Sequence, residues 1–590
     1  MKQFFKFMFA SMAGFLLAIF IFFMISIFMI TAMVSSVSSE KKVELKKNSI
    51  LEITFDKSIE ERTSNNPFEE FNFGSFSSDK NLGLNDILKN IDKASKDNNI
   101  SGIFLNLSRI SAGMATIEEI RNALLEFKAS KKFIYAYGED LSQGAYYIAS
   151  VADKIYLHPE GSIDFKGFRT ELMFFKGALE KLEIEPQVIR HGKFKSAIEP
   201  FVNDKMSPEN KEQISKVVHS FWNTFLENIA SQRSTNTESL QKAADDFVAK
   251  DAVSAFKAGM VDSLAYFDQV ESALKAASGS ITKKEFALVS LKKYDKVYVK
   301  GVQEYSKDKI ALIYAVGDIV SGKGSDDQIG SDRLAETIRQ ARVDSSIKAI
   351  VLRVNSPGGS AIASDVIWRE VLLAKKTKPV VVSMGDLAAS GGYYISCAAD
   401  SIVAQPNTLT GSIGVFGLLV NAQKMFNNKL GITFDSVKTG RYADIGTFTR
   451  RLSAEERELI QSQVEKVYET FITHVSEGRN ITKEFVDSIG QGRIWSGNDA
   501  LELGLVDAIG GVNKAVEIAA GMAKLEKYMI LQLPHQKDFF EKILEDLNTE
   551  AGTYFAKKEL GEQYRYYEKM KAMIRNNGIQ TRVPFELEVY

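Results

Sequence analysis

Asn355-Ser-Pro-Gly-Gly-Ser360 and, further along the chain, Asp386-Leu-Ala-Ala-Ser390-Gly-Gly-Tyr-Tyr394 decide how this sequence is read. Each comes after an apolar run of strand type, Ala349-Ile-Val-Leu-Arg-Val354 before the first and Val380-Val-Val-Ser383 before the second. A glycine pair after proline lets the backbone turn sharply and aims N–H groups into a cleft, as an oxyanion hole requires. In the second stretch the small residues Ala388, Ala389, Gly391 and Gly392 leave Ser390 uncrowded at a strand-to-helix turn. A serine so placed has an exposed hydroxyl and a neighbouring N–H free to bind an anion. Taken singly, neither stretch is specific. A Pro-Gly-Gly turn is a common loop, and a serine before Gly-Gly is usually a cap.

Working outward, the chain reads twice. Ile100-Ser-Gly-Ile-Phe-Leu-Asn-Leu107 matches Ile347-Lys-Ala-Ile-Val-Leu-Arg-Val354, and Ala145-Tyr-Tyr-Ile-Ala149 matches Gly392-Tyr-Tyr-Ile-Ser396. Val151-Ala-Asp-Lys-Ile155 matches Ala398-Ala-Asp-Ser-Ile402, and Gly259-Met-Val-Asp262 resembles Gly504-Leu-Val-Asp507. Such a long period indicates a duplicated domain and not a solenoid. The halves run over 49–295 and 306–530, joined by a Lys- and Tyr-rich stretch from Lys292 to Lys309, with a charged, helix-like tail over 531–590. Ile310-Ala-Leu-Ile-Tyr-Ala-Val316 reads as another buried parallel strand, and Leu334 to Arg342 and Ala363 to Lys375 read as helices between strands. Alternating strand and helix predicts an α/β layer architecture.

Residues 1–48 form an anchor and its flank. Phe7 to Val34 carries no charge and, at about 1.5 Å per residue, outspans a hydrocarbon core of roughly 30 Å. The run is too long for a signal peptide, so an uncleaved anchor is expected. Lys2 and Lys6 precede it and Lys41, Lys42, Lys46 and Lys47 follow it, so basic residues do not decide the orientation. The net charge of -1 and the lack of a Lys/Arg block argue against a nucleic-acid partner. The single cysteine, Cys397, excludes an internal disulfide and a cysteine-rich metal site. No metal-ligand spacing or nucleotide-binding glycine loop is evident, so neither a metal nor a cofactor is expected.

A serine nucleophile needs a base. The five histidines, His158, His191, His219, His474 and His535, lie in no motif with Ser390. Lysine is the better candidate, because His191-Gly-Lys-Phe-Lys195 aligns with Thr439-Gly-Arg-Tyr-Ala443, so Lys195 has no counterpart in the second half. Conversely, Ser390 aligns with Gln143, and Gly358-Gly359 align with Ser111-Ala112. One copy keeps the lysine and the other keeps the serine and glycine turn, which suits one composite site between two related domains.

The glycine turn followed by the serine elbow resembles the Clp-protease/crotonase superfamily, in which these two elements face each other. The resemblance implies that Gly359 and Gly391 supply the oxyanion N–H groups. Gly192-Lys-Phe-Lys195-Ser-Ala-Ile-Glu-Pro-Phe201, the two opening stretches and Thr410-Gly-Ser412-Ile-Gly-Val415 narrow it further. They resemble the long, two-domain signal peptide peptidase A family over nearly the whole chain. That resemblance implies a membrane-anchored serine protease with Ser390 as nucleophile, Lys195 as base and Ser412 orienting the lysine. It also implies signal peptides as substrates, a homotetramer, and a catalytic part on the outer, periplasmic face of the bacterial cytoplasmic membrane. The tail from Gln536 has no place in that pattern and is expected to be a helix that caps the second domain or joins subunits.

A lysine base must be neutral, so Lys195 should be dry and free of a carboxylate partner. Glu199, four residues on, is read as structural, and Asp386 as a turn cap. Tyr393, Tyr394 and Cys397 are read as packing. Two other functions fit parts of the pattern. A crotonase-like acyl-CoA enzyme would share the glycine turn without needing Ser390 and Lys195, and a non-catalytic membrane scaffold would need only the duplication.

Overall fold

A computed structural model describes residues 2–38, 45–64, 71–72, 77–78, 82–279, 287–300, 305–536 and 578–583. The chain opens with the helix Lys2–Ser38, in which Gln3–Ile25 has a mean hydropathy of 2.5 and no buried share. It is long and apolar enough to cross a membrane.

Each half builds a sheet of the same order. In the first, the parallel strands run Ser263–Leu264, Lys154–Ile163, Phe133–Leu141, Ile100–Asn106, Ser49–Ile53 and Leu288–Ser290. In the second, Ala508–Ile509, Ser401–Ala404, Val380–Ala389, Ile347–Ser356, Lys309–Val316 and Met529–Leu533 repeat that order, also in parallel. The central strands are apolar on both faces because helices cover both sides, as parallel sheets require. From Ile310 to Ala315 every residue is buried, and Ser331–Val343 and Ala361–Lys375 form helices where the periodicity predicts them. The two large cores, one per half, follow from this pattern.

A helix contact and a shared sheet are among the features that join the halves. The helix Pro208–Gln232 of the first half lays Ile214, Val217 and Phe221 against Leu409 and Ile494 of the second. A third sheet takes strands from both halves and the tail, in the order Gln328–Gly330, Asp318–Val320, Gly358–Ser360, Gly578–Arg582, Phe416–Asn421 and Glu185–Arg190. Of the tail expected to be helical, residues 537–577 lie outside the described residues, and Gly578–Arg582 is a strand. Alternating Ile579, Thr581 and Val583 between polar residues suits an extended segment better than a helix.

Candidate active site

The strand Val380–Ala389 ends at Ser390, and the helix Gly391–Ser396 begins directly after it. To make that turn Ser390 adopts φ 55 and ψ -113, a conformation costly for any residue with a side chain. Its N–H is held by the Gly411 carbonyl at 2.8 Å. The neighbouring strand Leu409–Gly411 delivers Ser412, likewise at positive φ, and fixes it by a 2.7 Å bond from its N–H to the Arg493 carbonyl.

Lys195 arrives from the other half. The strand Glu185–Arg190 pairs antiparallel with Phe416–Asn421, and Lys195 stands just ahead of the single turn Ser196–Ile198. Ala197 and Ile198 pack on Phe416 and Leu418, which seats that turn on the second half. Gly492 walls the lysine stem. A Cβ on it would lie 2.6 Å from the Lys195 backbone, so only glycine allows this approach.

The lysine Nζ then lies 2.7 Å from Ser390 Oγ, 3.1 Å from Ser412 Oγ and 3.2 Å from the Ser412 carbonyl. Lys195 is 1% exposed and Ser390 0%. Burial alone holds the amine well below the usual lysine range. A neutral amine has two N–H donors and one lone pair. The two oxygens of Ser412 can take both donors, which leaves the lone pair facing the Ser390 hydroxyl.

Glu199 spends its carboxylate on Ser207 (N–H 3.1 Å, Oγ 2.5 Å) and on Asn210 Nδ2 at 2.9 Å. Pro200 sits in the first turn of Glu199–Val202, so the helical turn begins after Lys195 and does not carry it. Asp386 caps a helix of the other half, accepting from Thr116 N–H at 3.0 Å and Thr116 Oγ1 at 2.6 Å, at the start of Met114–Lys128. Cys397 is buried, which pushes its thiol up to about 12, and Tyr393 and Tyr394 donate to the Leu505 carbonyl and to Asp365. Among the described residues none of the histidines bonds to Ser390. His474 meets Asp365 and stacks on Trp368, and His191 stacks on Tyr468.

The Pro-Gly-Gly turn runs into a short strand, Gly358–Ser360, beside the serine elbow. The Gly358 N–H is spent on Ser356 Oγ at 3.1 Å, and Ser356 Oγ donates to the Gly317 carbonyl at 2.7 Å. Gly358 adopts φ 97, and a Cβ there would lie 2.6 Å from the Gly391 nitrogen, so only glycine lets the turn close on the elbow.

Sequence reading missed the scaffold beneath the site. Buried Arg353 reaches Glu61 at 2.8 Å and Glu119 at 2.6 Å, both from the first half. Glu61 also accepts from Asn355 Nδ2 at 3.0 Å, and Asn355 Oδ1 accepts from the Leu387 N–H at 3.1 Å. The signal was present: Arg353 is a charge inside an apolar strand, which has to find a carboxylate.

Residues 126–280 and 373–526 match peptidase family S49, one stretch in each half, and residues 301–410 match Clp protease. Fold, site and matches together define a serine protease of Clp-protease-like architecture. Protease 4 of Salmonella typhi is 41% identical over 455 residues, spanning 75% of this chain and 73% of that protein. Protease 4 of Haemophilus influenzae is 36% identical over 444 residues, spanning 74% and 72%. The chloroplastic serine protease SPPA of Arabidopsis thaliana is 33% identical over 482 residues, spanning 79% and 70%. The chain belongs to peptidase family S49.

Proposed function

We propose that the protein is a membrane-anchored endopeptidase that degrades cleaved signal peptides and other apolar, unfolded peptides by a Ser390–Lys195 dyad. The observation that carries this reading is the 2.7 Å approach of a buried, carboxylate-free lysine to a serine held in a strained turn. Neutral Lys195 takes the Ser390 proton as the hydroxyl oxygen attacks the peptide carbonyl. The Gly359 and Gly391 N–H groups receive the oxyanion. Lys195 then protonates the leaving amine, and water resolves the ester by the reverse sequence. The N-terminal helix would hold this chemistry beside peptides left in the bilayer, on the periplasmic side of a bacterial inner membrane. Leu430, Ile432, Phe434 and Val437 are exposed apolar side chains close together in the chain, which supports assembly into a homotetramer with sheltered active sites.

The test is a time course with an apolar signal-like peptide, a charged peptide of equal length and a folded globular protein. The apolar peptide should be cut first, after small or medium apolar residues, and the folded protein spared. Rapid digestion of the folded protein would overturn the sheltered-site reading. Tight coenzyme A binding without peptide hydrolysis would restore the acyl-CoA alternative.

In this mechanism Ser412 positions the lysine. Ser412→Ala removes one of two acceptors and keeps the carbonyl, so the rate should fall by roughly tenfold, the worth of one hydrogen bond. Ser390 should still react with a serine-directed phosphonate. Wild-type turnover in this variant would reduce Ser412 to a loop residue.

A further inference from the structure

The chain that leaves the apolar helix enters the folded protein beside the join between the halves. The helix Lys2–Ser38 ends seven residues before Leu45, which at full extension is about 25 Å of chain. The face that carries Leu45 is therefore held within that distance of the end of the span. Leu45 and Val297 both pack on the first core, and the two share a shallow cavity with Asp97, Asn99, Tyr298 and Lys300. Residues 292–300 thus lie at the membrane-proximal end of the folded protein.

That end is basic and firmly built. Within 45–48 and 292–300, Lys46, Lys47, Lys292, Lys293, Lys296 and Lys300 stand against a single acidic residue, Asp295. All of these lysines except the half-buried Lys292 are exposed. The backbone that carries them is pinned from below. Lys93 Nζ donates to the carbonyls of Tyr294, Asp295 and Val297 at 2.7, 3.2 and 3.3 Å. Ser49 N–H donates to the Asn99 carbonyl at 2.9 Å, and Ser49 Oγ to the Lys46 carbonyl at 2.7 Å. The nearby carboxylates serve the fold. Asp295 accepts from Asn90 Nδ2 at 2.9 Å, and Asp97 accepts from the Asn99 N–H at 2.9 Å and the Tyr294 hydroxyl at 3.1 Å. Tyr298 adds a ring that is 74% exposed. Lysine and tyrosine each join an apolar body to a polar tip, the chemistry of side chains that sit at the headgroup level of a membrane.

We infer that the face built by 45–48 and 292–300 docks on the bilayer surface through anionic lipid headgroups, as a second membrane contact beside the apolar helix. The inference makes no use of the Ser390–Lys195 reading. Each lysine close to an anionic surface strengthens such a contact by roughly fivefold. The span supplies the rest. A short tether makes docking an intramolecular step at an effective concentration on the order of millimolar, so contacts too weak to recruit a free protein are made. The contact gives Lys46 and Lys47 a role that the undecided orientation signal did not. It also accounts for the Lys- and Tyr-rich composition of the join, which linking two domains does not require. Docked in this way, the first half is held in one attitude over the bilayer.

Amide hydrogen exchange of the full chain in lipid nanodiscs tests this, with discs of phosphatidylcholine alone compared with discs that also contain phosphatidylglycerol. Amides of 45–48 and 292–300 should exchange severalfold more slowly in the anionic discs, while those of the second half stay unchanged. The slowing should vanish in about 1 M salt, where the screening length is roughly 3 Å. It should also vanish in the triple variant Lys293→Gln, Lys296→Gln, Lys300→Gln, which alters only exposed side chains. Equal exchange of the wild-type chain in the two kinds of disc overturns the inference, as does a slowing that survives both the salt and the variant. Glycerol phosphate added to the neutral discs is the remaining arm. If it alone reproduces the slowing, the face is a site for soluble phosphate, and docking on the bilayer is rejected.

Discussion

Ser390→Ala and Lys195→Ala should each abolish peptide hydrolysis, and the double variant should be scarcely slower than either. In the proposed dyad nucleophile and base act on one proton, so removing either removes the same step. Where such pairs act as a unit, a single deletion costs on the order of 10⁶ in turnover, nearly as much as deleting all members. The geometry makes this a demanding case. Lys195 Nζ has its shortest contact with Ser390 Oγ, its other two go to the Ser412 hydroxyl and carbonyl, and the Ser412 hydroxyl donates to the Gly492 carbonyl at 3.4 Å. Neither replacement should unfold the protein. Ser390→Ala removes one hydroxyl from a turn fixed by its backbone bond to Gly411. Lys195→Ala leaves a cavity but also relieves the burial of an amine. Kinetics of the four proteins, with circular dichroism to confirm folding, decide the matter. Losses that multiply in the double variant would mean that the two residues act independently, and the dyad would be rejected.

The site was legible in the sequence to an uneven degree, and the reason is physical. Ser390 and Lys195 could be singled out because the two copies of the repeat differ there in chemistry, and Ser412 through the family resemblance of Thr410-Gly-Ser412. The structure brings all three together from elements far apart in the chain. The strands Lys309–Val316, Ile347–Ser356 and Val380–Ala389 were legible because a sheet covered on both faces writes itself as unbroken apolar runs. Other features left no local mark. The Asp386–Thr116 bond joins residues 270 positions apart, and no periodicity reports a helix capped by another domain. Gly492 looks like any turn glycine until Lys195 is placed against it. The strand Gly578–Arg582 was obscured by its charged, Tyr-rich flank. Its pairing depends on two edges, Gly358–Ser360 and Phe416–Asn421, that the second half presents only once folded.

Activity should rise with pH through the depressed pKa of Lys195 and owe nothing to histidine. Only the neutral amine can take the Ser390 proton. Below the lysine pKa the neutral fraction, and with it kcat/KM, falls about tenfold per pH unit, and above it the rate levels off. An ordinary lysine would place that plateau beyond pH 10, at roughly its free pKa of 10.4. Burial without a carboxylate partner moves it well down. The same shift should appear in stability. The folded protein holds Lys195 neutral, whereas the unfolded chain binds its proton up to about pH 10.4. Within the window from the folded pKa up to that value, the unfolded state carries the extra proton. The lysine's contribution to unfolding free energy therefore grows with rising pH, by about 1.4 kcal/mol per unit, and is lost as pH falls toward the folded pKa. Lys195→Met has no such proton. Compared with wild type by denaturant unfolding across a pH series, it should be inactive, and its stability advantage should shrink as pH rises. The kinetic step should persist when each of the five histidines is replaced in turn. A step that vanishes with one of those replacements, or a stability difference from Lys195→Met that does not change with pH, would show that Lys195 is not the group whose proton governs the reaction.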